Sequence, residues 1–169
     1  MISENNLILD HQQTLNKIKR IAYEVYEQNF EEEEIIFAGI HDTGYVFAEL
    51  LSIEFDKIAP IKSKLIKLVL DKVSPTQSDV EISENGIDFT NKVIIIADDV
   101  LSTGKTIAYS LRPFLKIPVK KIQVAVIVDR NLKSFPVEAN FVGYELSTTV
   151  NQHIEVVLNK DRPLGIYLL

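Results

Sequence analysis

The sequence predicts an α/β protein built on an open, mostly parallel, twisted sheet flanked by helices. Three observations carry that expectation. Through the middle of the chain, short β-branched runs alternate with segments of helical periodicity, the pattern of βαβ units joined by right-handed crossovers. The run Val93-Ile94-Ile95-Ile96-Ala97 is unbroken by any polar residue, as in a central parallel strand covered on both faces. Three polar segments, at 39–44, 98–106 and 129–131, each directly follow such a run. In open sheets ligands bind beyond the carboxyl ends of the strands, where those segments would lie.

Each element has its own warrant. Leu15, Ile18, Ala22 and Val25 recur at steps of three and four, which makes one helical face. Asp10, with Gln13 three residues later, is a capping-box signature for the start of that helix. Glu31-Glu32-Glu33-Glu34 reads as a solvated connection, because like charges repel and stay exposed. Ile35–Ile40 is expected as a buried strand, 39–44 as a loop, and Tyr45–Phe55 as a helix. Ile61–Leu70 mixes Lys62, Lys64 and Lys67 with apolar residues, a strand with one wetter face. Residues 74–79 have the composition of a turn. Lys92–Asp99 is the clearest strand, Val100–Thr106 a loop, and a helix follows to about Leu115, its end disturbed by Pro113. Lys121–Val128 is the next strand. Short strands follow near Phe141–Tyr144 and His153–Leu158, and the tail Leu164–Leu169 is expected to pair at a sheet edge.

Composition narrows the function. A chain of 169 residues corresponds to one domain, 1–169. It has no Cys, which excludes disulfides, thiol nucleophiles and Cys-ligated zinc and fits a reducing compartment. Eighteen basic against 24 acidic side chains leave a net charge of −6. Such a chain lacks the positive footprint that nucleic acids and anionic membranes require. No secretory pattern opens it, and no apolar run approaches the ~18 residues of a membrane span. The cytoplasm is the expected address.

The most informative segment is Ile96-Ala97-Asp98-Asp99-Val100-Leu101-Ser102-Thr103-Gly104-Lys105-Thr106. Two carboxylates stand at the end of a buried strand, and a small, hydroxyl-rich turn then opens a helix. Backbone N–H groups and the hydroxyls of Ser102, Thr103 and Thr106 offer an anion cradle. Ionised carboxylates only accept hydrogen bonds. Donors for a phosphate thus adjoin acceptors for sugar hydroxyls, the combination a ribose 5-phosphate needs. The bland alternative is that Asp98 and Asp99 only cap a turn. A nucleotide-triphosphatase P-loop is excluded, because its first glycine would fall at Asp99, and Gly39-x-x-x-x-Gly44 is followed by Tyr45-Val46.

Val93–Thr106 resembles the phosphoribosyl-pyrophosphate (PRPP) signature of type I phosphoribosyltransferases: four apolar residues, an acidic pair, then a Thr-Gly-basic-Thr turn. Asn6-Leu7-Ile8-Leu9-Asp10, Ala38-Gly39-Ile40, Ile122–Arg130 and Phe135–Gly143 are similar, in order, to the bacterial pyrimidine operon regulator/uracil phosphoribosyltransferase family. The similarity covers most of the chain and is thinnest over 56–90. It implies a type I phosphoribosyltransferase fold with a small hood, and transfer of phosphoribosyl from PRPP to a nucleobase, uracil by resemblance. Asp98 and Asp99 would hold the ribose hydroxyls as catalytic residues. Ser102, Thr103, Gly104, Lys105 and Thr106 would bind the 5-phosphate. His41, Asp42, Thr43 and Gly44 would hold pyrophosphate, with Mg²⁺ bound mainly through PRPP and no direct metal ligand. Val128, Asp129 and Arg130 would lie near the base, and residues around 71–80, with Lys72, would form the hood. A homodimer or higher oligomer is implied. Displacement at the anomeric carbon passes through an oxocarbenium-like state, and positive charge on the departing pyrophosphate lowers its barrier.

The chain departs from that family at three places. The family's pyrophosphate loop reads Thr-Arg-Gly, whereas Thr43 occupies the arginine position here and Asp42 adds a negative charge. One lost charge-assisted hydrogen bond is worth roughly 1.5–3 kcal/mol, so low turnover is expected unless a protonated His41 compensates. Lys72 replaces the hood arginine only as a point charge. The family's regulator members bind messenger RNA through basic positions that fall here on Asn131, Leu132, Lys133, Ser134 and Glu138. Only Lys133 is positive, so counterion release would be weak and RNA is not expected as a partner. The alternative to an enzyme is a non-catalytic sensor of PRPP or a nucleoside monophosphate, with an RNA-binding attenuator third.

Overall fold

The structure, a computed structural model, describes residues 6–71, 73, 74, 76, 79–159 and 162–169. In chain order its elements are β1 (Leu7–Leu9), α1 (His11–Asn29), β2 (Glu34–Ile40), α2 (His41–Ile58), β3 (Lys62–Val69), β4 (Glu81–Ile82), β5 (Val93–Leu101), α3 (Lys105–Ser110), α4 (Arg112–Leu115), β6 (Lys121–Asp129), β7 (Phe141–Glu145), β8 (Ile154–Val157) and β9 (Gly165–Leu168). A six-stranded sheet has the order β4-β3-β2-β5-β6-β7, and a three-stranded sheet the order β1-β9-β8. The larger is parallel except for β4 at its edge, and the smaller is antiparallel.

Side chains alternate across the large sheet because the strand period is two. Ile35, Phe37, Val93, Ile95, Ala125 and Ile127 face α1, α2 and the small sheet. Ile36, Ala38, Ile94, Ile96, Val124 and Val126 face Ile107 of α3 and Phe114 of α4. The result is a sheet buried on both faces, as the unbroken apolar runs predict. The capping box is present: Asp10 Oδ1 accepts from the Gln13 N–H at 2.8 Å, and Gln13 Oε1 from the Asp10 N–H at 3.0 Å.

Several expectations are corrected. No loop separates β2 from α2, and His41, at φ +53°, turns the chain straight from strand into helix. Gly39 permits this, since a Cβ there would lie 2.4 Å from the Tyr45 Cα. β5 runs on to Leu101 and carries the acidic pair within the strand. The helix expected to continue to Leu115 is broken between α3 and α4, with Pro113 in the first turn of α4, where proline is tolerated. The tail pairs as expected, but β9 is the central strand of the small sheet, not an edge. Its Ile166 is fully buried. The acidic run is not wholly solvated either. Glu32 pairs with Lys120 at 2.9 Å, and Glu34 with Lys92 at 3.5 Å and Lys64 at 3.7 Å. Among the described residues no helix is long and apolar enough to cross a membrane.

Candidate functional site

Strand order determines where a site can form. Going out from the middle of the large sheet, the chain winds from β2 to β3 on one side and from β5 through β6 to β7 on the other. The direction reverses between β2 and β5, and adjacent connections there leave to opposite faces, opening a crevice beyond the strand ends. Two cavities lie at that switch point. The larger, about 500 Å³, is walled by Asp42 and Thr43 from the start of α2, Asp99, Val100 and Ser102 from β5 and its end, Arg130, and residues 153–159 and Arg162 of the small sheet's side. The smaller, about 60 Å³, is lined by Asp98 and by Val100–Ile107.

The smaller cavity is a backbone cradle. Gly104 adopts φ +83° at the entry to α3, a left-handed conformation that other residues reach only at a cost. The turn is pinned from outside: Thr103 O accepts from the N–H groups of Ser134 (2.9 Å) and Phe135 (3.0 Å), and Leu101 O from that of Arg130 (2.9 Å). Inside the turn, the Lys105 N–H donates to Thr103 Oγ1 at 3.3 Å. Among the described residues the amides of Thr103, Gly104 and Thr106 have no protein acceptor. Ser102 borders both cavities.

Strand alternation divides the acidic pair. Asp98 is 2% exposed and belongs to the smaller cavity, while Asp99 belongs to the larger. Asp98 Oδ1 accepts the Asp99 N–H at 3.0 Å and packs against the first turn of α2, where a Cβ on Gly44 would stand 3.0 Å from it. A single carboxylate of the pair therefore faces the larger cavity.

The other expected site residues are distributed unevenly. Asp42 and Thr43 reach the larger cavity, but His41 and Gly44 do not line it. His41 Nε2 is buried without a hydrogen-bond partner among the described residues. Val128 is fully buried in the core. Asp129 is 5% exposed, accepts the Asn131 N–H and pairs with Lys133 at 2.8 Å. Of those three, Arg130 alone meets the cavity. Its guanidinium holds the 148–152 turn, donating to Thr148 Oγ1 at 2.8 Å and to the carbonyls of Thr149 and Gln152. Lys72 lies outside the described residues, and the described part of 71–80 lines neither cavity. β8 and the residues after it line the larger cavity, and there Arg162 pairs with Glu155 at 2.6 Å.

Two contributions escape sequence reasoning. One is the β8 wall, because the run His153–Leu158 signals a strand but not which crevice it borders. The other is Lys67, whose Nζ lies 2.5 Å from Asp42 Oδ1. That lysine holds the Asp42 carboxyl below its ordinary range through the hydrogen bond and its charge. Among the described residues no group of three or more His, Cys, Asp or Glu could hold a metal ion.

Comparison with known proteins meets the same reading. The family model described as the phosphoribosyl transferase domain matches residues 4–160. The bifunctional protein PyrR of Fusobacterium nucleatum is 33% identical over 161 residues, 91% of this chain and 91% of its own. That of Staphylococcus haemolyticus is 32% identical over 166 residues, 91% and 92%. Among solved structures, a Trypanosoma cruzi hypoxanthine phosphoribosyltransferase superposes with a TM-score of 0.80 over 99% of this chain and 92% of its own, at 12% identity. A Bacillus anthracis hypoxanthine-guanine phosphoribosyltransferase gives 0.70 over 86% and 84%, at 17% identity. These two likenesses establish the fold. With a donor-rich cradle and a carboxylate at the switch point, and a family match over nearly its whole length, the chain belongs to the phosphoribosyltransferase family.

Proposed function

We propose that this protein is a phosphoribosyltransferase-type protein of one domain. It would bind PRPP or a nucleoside monophosphate in the switch-point crevice and transfer phosphoribosyl to a nucleobase, with uracil the first candidate. The observation that carries the reading is the adjoining pair of cavities: a donor-rich cradle of about 60 Å³ next to a larger one walled by Asp99. The amides of Thr103, Gly104 and Thr106, with the hydroxyls of Ser102 and Thr106, hold the 5-phosphate. Asp99 accepts from a ribose hydroxyl, and Asp98 fixes the backbone that aims it. The base lies toward Arg130 and the β8 wall.

Catalysis by this chain is positioning. The cradle and Asp99 hold the sugar while the bond from the anomeric carbon to pyrophosphate breaks and the base nitrogen bonds to the same carbon. Pyrophosphate leaves with the bonding electrons, and Mg²⁺, brought as part of the Mg·PRPP substrate, shares its charge. The relatives' printed name, bifunctional protein PyrR, supports two roles for such a chain, and the hypoxanthine phosphoribosyltransferase names of the solved structures support a nucleobase as acceptor. The acidic net charge argues against RNA as this chain's partner. The protein would act in the cytoplasm as a homodimer or higher oligomer. Tyr23 on α1 and Phe30 just after it, 61% and 64% exposed, are candidate contact residues.

The test is pyrophosphate release with Mg·PRPP and a panel of bases, beside calorimetry with uridine monophosphate. Turnover with uracil supports the enzyme. Binding of the monophosphate without turnover on any base supports the sensor, which Thr43 in the cavity wall favours. Failure to bind either ligand refutes both.

A further inference from the structure

We infer that Lys67, from strand β3 rather than from the family's loop, supplies the cation that receives pyrophosphate, with Asp42 as its resting counter-ion. This rests on the reading just given. Register places Lys67 there: β3 runs parallel to β2 with Lys67 beside Gly39, two residues before the left-handed His41 that aims Asp42. The backbone of Lys67 is held from its other side, its N–H donating to Ser83 Oγ (3.0 Å) and its carbonyl accepting from the Ser83 N–H (2.9 Å). Its Nζ also stands 5.9 Å from the centre of the Tyr45 ring. The ammonium is thus fixed at the rim, one hydrogen bond behind a carboxylate that lines the larger cavity.

Stability does not explain the pair. The Asp42 side chain is 93% exposed, and such surface ion pairs contribute little to folding. Nor does it leave the rim with net positive charge, since the two charges cancel. What it provides is an exchangeable partner. Pyrophosphate as a group carries more negative charge than a carboxylate and can take the ammonium from Asp42, which swings freely into water. Thr43 then no longer leaves this end of the crevice without a cation. The arrangement makes Asp42 a competitor of the ligand, and that is the testable consequence.

Calorimetry at one ionic strength with three probes separates the possibilities: Mg·PRPP, uridine monophosphate, and metal-free inorganic pyrophosphate. Lys67→Met should weaken PRPP and pyrophosphate by about tenfold or more and leave the monophosphate unchanged, and Lys67→Arg should restore both. Asp42→Asn should tighten metal-free pyrophosphate severalfold. Wild-type affinity for PRPP in Lys67→Met, or an equal loss on the monophosphate, overturns the inference while leaving the family reading intact. So does unchanged or weakened pyrophosphate binding in Asp42→Asn, a surface change that keeps the inference exposed should Lys67→Met not fold. A wild-type protein that binds neither PRPP nor the monophosphate removes the functional reading and this inference together.

Discussion

Asp98 and Asp99 are adjacent in sequence and identical in type, yet the strand points them into different cavities, so they should not respond alike to substitution. Asp99→Asn removes an ionised acceptor from the larger cavity and should weaken monophosphate binding by about tenfold or more, the worth of one charged hydrogen bond. Asp98→Asn keeps an oxygen for the Asp99 N–H and should show its effect mainly in thermal stability. Calorimetry and thermal melts on the two single variants check this. Equal losses of affinity would mean both carboxylates reach the sugar. Asp42 offers a pH test. Its folded-state pKa is lowered by Lys67, so the pair is fully formed above the ordinary carboxylate value of about 3.9. It is lost as pH falls through the lower folded-state value. A carboxyl-detected NMR titration should find Asp42 titrating below that ordinary value, and Lys67→Met should return it upward. The sequence displays each of these residues but not their partners. Lys67 meets Asp42 across 25 positions, a contact created by strand register, and no local pattern encodes it.

At the scale of elements, what was legible depended on whether a segment's own pattern decides its structure. β5 and β6 were readable because a strand buried on both faces has an unbroken apolar run, here Val93–Ala97 and Val124–Val128. α1 was readable because its buried stripe and its capping box agree. The junction of β2 and α2 was not. Gly39, His41 and Gly44 have turn-forming composition, and the compact alternative depends on how closely helix and strand can approach. Gly39→Ala tests that account. Its new methyl would meet Tyr45 Cα at 2.4 Å and Gly44 O at 2.8 Å, backbone atoms that cannot move without displacing the helix start. It should destabilise the protein by about 1–3 kcal/mol or more and weaken PRPP binding by moving Asp42. Asp10→Ala, far from the crevice, should cost about 1 kcal/mol through the lost cap and leave ligand affinity alone. Denaturant melts with parallel calorimetry distinguish the two. A Gly39→Ala protein as stable as wild type would show that the junction has slack.

At the scale of the molecule, the two ends of the chain meet to build one wall of the site. β1 near the N-terminus pairs with β9 at the C-terminus, and β9 pairs in turn with β8, which borders the larger cavity. This closure was the least legible feature. β1 is three residues long, and a strand so short is defined by the partner it finds almost a whole chain away. The tail's apolar residues announced a strand and left its neighbours open. The large sheet, by contrast, buries both of its faces without the tail except where Leu9, Ile154, Val156, Leu158 and Ile166 join the α1–α2 side of the core. Removing residues 164–169 should therefore act unequally. β8 loses its only strand partner among the described residues, Leu7–Leu9 loses its own, and the wall opposite Asp99 opens. The parallel sheet and the cradle at 102–106 have no strand pairing with the tail, so a folded core should survive with a lowered midpoint. Hydrogen exchange should show amides of β2, β5 and β6 still protected and those of β8 exposed. Inorganic phosphate, which needs only the cradle, should bind as it does to the full chain, while a nucleoside monophosphate, which needs the wall for its base, should bind at least several-fold more weakly. If the truncated protein instead loses protection throughout the large sheet, the small sheet is part of the folding core, and cradle and wall are not separable.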